Sequence, residues 1–106
     1  MATGHEQARI QMQKITQMVA ALNAAQADAR ARIRESAIAV EIRGAAEEFR
    51  ILLCVGGPHV EIRGELDRQK EPVLCSLWHS NPCTMVRSTG ADFNVLQTYC
   101  EQFSFN

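Results

Sequence analysis

Two runs in the middle of the chain alternate apolar and polar residues. Phe49, Ile51, Leu53 and Val55 fall on one side of the first, and Val60, Ile62 and, past Gly64, Leu66 on one side of the second. A two-residue period is that of a strand with one buried face. The opposite sides carry Arg50, Leu52, Cys54, His59, Glu61, Arg63 and Glu65. Gly56-Gly57-Pro58 separates the runs; glycine accepts positive φ and proline cannot donate to a ladder, so the chain folds back here as a hairpin. A hairpin apolar on one face and charged on the other needs cover from elsewhere in the chain.

Similar alternation predicts the neighbouring strands. Residues 37–43 set Ile38, Val40 and Ile42 against Ala39, Glu41 and Arg43, a half-buried strand. Residues 73–79 place Val73, Cys75, Leu77 and His79 on one face and Leu74, Ser76 and Trp78 on the other. Both faces are partly apolar, so this strand is either central or meets a partner with its outer face. Residues 83–87 form a short fifth strand, 44–48 a loop and 67–72 a polar turn, and Gly64 marks a bulge.

The flanks change period. From His5 to Asn23, Ile10, Met12, Ile15, Met18, Val19 and Leu22 recur every three or four residues, an amphipathic helix. Asn23-Ala-Ala-Gln26 has the form of an N-cap with a glutamine three residues on, which starts a second helix reaching Glu35. The alternative is one continuous helix, because Leu22, Ala25, Ala29 and Ile33 extend the spacing. Thr89-Gly-Ala-Asp92 has the form of a capping box opening a last helix with the stripe Phe93, Leu96, Cys100 and Phe103, and with Val95 and Tyr99 beside it. The expected fold is α+β: a four- to five-stranded antiparallel meander, with the N-terminal helix or helix pair and the C-terminal helix packed on one face. At 106 residues the chain is expected to be a single domain, residues 1–106.

Charge narrows the partner classes. With 11 Lys+Arg against 12 Asp+Glu, the chain is neither a polycation drawn to nucleic acid nor an acidic mimic of it. No stretch has signal-peptide or membrane-helix character, so a cytoplasmic protein without a membrane partner is expected. Reduced cysteines at 54, 75, 83 and 100 follow, acting chiefly as small apolar side chains.

Three constellations hold residues able to do chemistry. Cys75, His79 and Cys83, with Cys54 and His59 nearby, are zinc-ligand types. On a strand, however, Cys75 and His79 stand about 13 Å apart, too far to share a metal. Cys54, His59 and Glu61 are a thiol, base and orienting acid in outline, but the outer face of a short hairpin excludes no water. Neither a cofactor nor an enzyme is expected. The third constellation is a binding surface. Arg43, Arg50, Glu61 and Arg63 share the wet face of the sheet, with Trp78 as an aromatic anchor, and Arg30 and Arg34 lie on a common helix edge. Cross-strand ion pairs with Glu41, Glu61 and Glu65 account for the mixed charge.

The run 49–58, FRILLCVGGP, continuing into VEIRGELD at 60–67, resembles a family of small proteins carried by phages, prophages and mobile elements. ARARIRES at 29–36 and LQTYCEQF at 96–103 are similar to the same family, while LWHSNPC at 77–83 replaces a more aromatic run. The motif carries no chemistry, so no catalytic residue is transferred. What the resemblance implies is a phage-encoded, anti-CRISPR-like inhibitor of a bacterial defence system. It would bind a host defence protein or RNA-guided complex stoichiometrically and block nucleic-acid access or effector recruitment in the host cytoplasm. The alternative is a nucleic-acid-binding accessory protein of a phage or mobile element. The oligomeric state stays open, a dimer included.

Overall fold

The computed structural model describes residues 4–43, 48–55, 59–79, 84–86 and 91–103. Helices α1 (Gly4–Asn23) and α2 (Ala29–Ser36) precede strands β1 (Ala39–Arg43), β2 (Glu48–Cys54), β3 (Val60–Leu66), β4 (Pro72–His79) and β5 (Thr84–Val86), and helix α3 (Ala91–Glu101) follows. The strands form one antiparallel sheet in chain order, β1-β2-β3-β4-β5. This is the expected α+β meander. No helix among the described residues is long and apolar enough to cross a membrane.

Alternation in the hairpin sets the two faces of the sheet. Phe49, Ile51 and Leu53 on β2 and Val60, Ile62 and Leu66 on β3 are buried, joined by Cys75 and Leu77 of β4. Helices α1 and α3 cover them with Ala8, Ile15, Val19, Leu96, Tyr99 and Cys100. The helices pack chiefly on β3 and β4 and on each other. Gln97 ties α3 to β4, its side-chain amide donating to the Pro72 carbonyl and its oxygen accepting from the Cys75 thiol.

Several sequence expectations shift. The second helix starts at Ala29, because Asn23 is the last residue of α1 and residues 24–28 turn, with Ala25 and Asp28 at φ 54° and 67°. Asp28 caps α2 without a side-chain hydrogen bond. Ala8 replaces Ile10 in the buried stripe of α1, and Ile10 is exposed. Val55 lies beyond the end of β2 and is exposed. Val40 and Ile42 are on the core side of β1, opposite Ile51 and Phe49, yet both are 39% exposed. They are exposed because β1 is an edge strand beyond the helical cover. The bulge expected at Gly64 falls one pair further on, where the register slips between Glu65 and Leu66 and leaves Val73 exposed. The Gly56-Gly57-Pro58 turn, the loop at 44–47, Cys83 and the capping-box residues Thr89 and Gly90 lie outside the described residues.

Candidate partner-binding face

The outer face of the sheet holds most of the residues expected to bind. Strand geometry brings His59, Glu61 and Arg63 to one side at alternate positions. Register does the rest: Glu41 lies opposite Arg50, Arg50 opposite Arg63, and Glu61 opposite Trp78. A face that the sequence marks as wet therefore has a buried acid at its centre. Glu61 is 0% exposed, which corrects the expectation that this face is solvated throughout.

Its neighbours cause that burial. Arg63 Nε donates to Glu61 Oε2 at 2.7 Å, and Arg50 Nη1 donates to Oε1 at 3.4 Å. His59 Nε2 lies 2.6 Å from the same Oε1. Burial by itself raises the carboxyl pKa, but the hydrogen bonds from Arg63 and His59 and the charges of Arg63 and Arg50 outweigh it, so Glu61 titrates below the ordinary glutamate range. An ionised carboxylate only accepts, so His59 Nε2 carries the shared hydrogen. Arg50 also reaches across to Glu41, with Nη2 donating to Oε2 at 2.5 Å and Nε donating to the same oxygen at 3.2 Å.

Trp78 closes the cluster from β4. The Arg63 guanidinium carbon sits 4.2 Å from the centre of the indole ring, a cation–π contact. The His59 ring meets Trp78 edge-on at 5.5 Å and 77°. Arg63 is thus fixed on two sides, by a carboxylate and by an aromatic face. A planar guanidinium and an indole held in place before binding lose little freedom when a partner covers them.

Of the residues expected to bind, Arg50, Glu61, Arg63 and Trp78 come together here. Arg43 ends β1, in register with Glu48. Arg30 and Arg34 are elsewhere. Arg30 Nε donates to Gln102 Oε1 at 3.1 Å, and Arg34 Nε donates to the Gln102 carbonyl at 2.7 Å. They supply cations to the end of α3, whose own last turn has none. Sequence reasoning left His59 and Glu41 out of the candidate set. Both were within reach, His59 through its two-residue spacing from Glu61 and Glu41 through the antiparallel register opposite Arg50.

Of the thiol constellation, His59 and Glu61 are in contact, while the Cys54 thiol points to the Val55 carbonyl at 3.9 Å. Cys75 and His79 are both buried, on the core side of β4. No group of three or more His, Cys, Asp or Glu side chains among the described residues is arranged to hold a metal ion. Comparison with protein families, curated proteins and solved structures finds no match to this chain.

Proposed function

We propose that this protein is a stoichiometric protein-binding inhibitor that meets its partner with the outer face of the sheet, centred on Arg63 and Trp78. One observation carries the reading: both side chains are held in place around the buried carboxylate of Glu61. Fixed arginine and aromatic side chains at the centre of a patch are the pattern of interface hot spots. The cations of the face are already matched internally by Glu41 and Glu61, which leaves little free positive charge for phosphates and favours a protein partner over nucleic acid. In the form suggested by the phage resemblance, the partner is a host defence protein or RNA-guided complex, and binding blocks nucleic-acid access or effector recruitment.

The test pairs capture from host lysate with a phage plating assay. A saturable partner that wild-type protein retains and Trp78→Ala loses, together with protection of phage by the wild type, is the expected result. No saturable partner and no protection would refute it. Binding to DNA or RNA that falls steeply with salt would replace it with the nucleic-acid reading.

A further inference from the structure

On the helical side of the sheet, away from Trp78, residues of α1, α2, β2 and α3 line an open cleft of about 450 Å³. Its accessible apolar lining is Met18 and Ala21, above the core residues Ile15 and Leu53; Gln11 and Gln17 are polar, and the charged lining residues are Lys14 and Arg32, with no acid among them. Arg32 makes only a long hydrogen bond to the Gln26 side chain, at 3.4 Å, and neither cation has a carboxylate partner among the described residues. Arg50 and Arg63 by contrast are tied to acids, and Arg30 and Arg34 to the end of α3.

The deep end is also defined, by proton accounting. Ser36 Oγ lies 2.5 Å from the Ile33 carbonyl, which only accepts, so the single hydroxyl proton of Ser36 is donated there. Tyr99 OH, 2.6 Å from Ser36 Oγ, must then donate to it. The Tyr99 proton is firmly held, since burial pushes its pKa up to about 12. Both protons are committed, so the hydroxyls present only lone pairs to the cleft. An anion at that end would meet acceptors, whereas Lys14 and Arg32 offer donors and positive charge.

We propose that this cleft binds a small amphiphilic anion, with its chain against Met18 and Ala21 and its anionic head between Lys14 and Arg32. The size lies in the range of small-molecule sites, and the lining mixes apolar and polar side chains, as an amphiphile requires. The site is separate from the Arg63–Trp78 face and independent of the partner proposed for it.

The experiment is an NMR titration of the full chain with octanoate and with octan-1-ol, which has the same chain length without the charge. Expected are saturable shifts at Met18, Ser36 and Leu53, with octanoate binding about tenfold tighter than the alcohol, the scale of one ion pair of about 1.4 kcal/mol. The double variant Lys14→Gln/Arg32→Gln, with its fold checked by the same spectra, loses that preference and keeps alcohol binding. Trp78→Ala changes neither. Absence of saturable shifts, equal affinity for the two probes, an unchanged preference in the double variant, or loss of binding in Trp78→Ala would each overturn the proposal.

Discussion

Arg63 lies 4.2 Å above the ring of Trp78 while its Nε donates to buried Glu61, so one side chain links the carboxylate of β3 to the aromatic of β4. The contact with Glu61 is local, two residues back along β3, whereas the contact with Trp78 crosses to β4 and depends on the register that sets Glu61 opposite Trp78.

Removing the centre of the cluster is costly. Glu61→Ala leaves Arg50 and Arg63 facing each other across β2 and β3 with no acid between them. Because Arg63 is half-exposed and Arg50 keeps Glu41, the loss is that of the charged hydrogen bonds, about 2 kcal/mol. Urea unfolding is expected to show that loss, with Glu61→Gln losing roughly half as much because the amide oxygen still accepts a hydrogen bond.

The same group sets an acid limit. Folded Glu61 titrates below the ordinary glutamate value, so its stabilisation is complete above that value and is lost as pH falls through the lower folded one. The wild type is therefore expected to melt well above Glu61→Gln at neutral pH, with the two curves converging below about pH 4. A gap that persists in acid would show that the ionised carboxylate is not the source.

Arg34 carries a different load. Its hydrogen bond to the Gln102 carbonyl joins α2 to the end of α3. Arg34→Ala is expected to cost about 1 kcal/mol and to speed amide exchange in the last turn of α3, leaving partner binding unchanged.

The thiols divide by burial. Cys75 and Cys100 are buried, and Cys54 is half-buried. Burial pushes the Cys100 thiol well up, and the neighbouring Cys75 pushes it further. In a Cys83→Ser variant, a thiol reagent under native conditions is expected to modify Cys54 first and to reach Cys75 and Cys100 only as the protein unfolds.

Much of the fold was legible in the sequence because a two-residue period and a helical period are easily told apart. The faces of the hairpin, β4 and α3 followed from it directly. The exposure of Val40 and Ile42 did not, because alternation marks which side a residue takes and not whether a helix reaches that far. The break between α1 and α2 was obscured by an alanine-rich segment that favours continuation, while Ala25 and Asp28 take positive φ. The candidate face was half legible. Arg50, Glu61, Arg63 and Trp78 could be assigned to one side, but the burial of Glu61 depends on three side chains folding over it from two strands. Arg30 and Arg34 looked like a free ridge because their partner, Gln102, is about seventy residues away in the chain.

The most direct measurement is the affinity of a captured partner for wild-type protein and for Trp78→Ala, with thermal melting to show that both are folded. Loss of a central anchor at an interface costs about 2 kcal/mol or more, so the variant is expected to bind at least thirtyfold more weakly. Equal affinities would contradict the claim that the Arg63–Trp78 face is where this protein meets its partner.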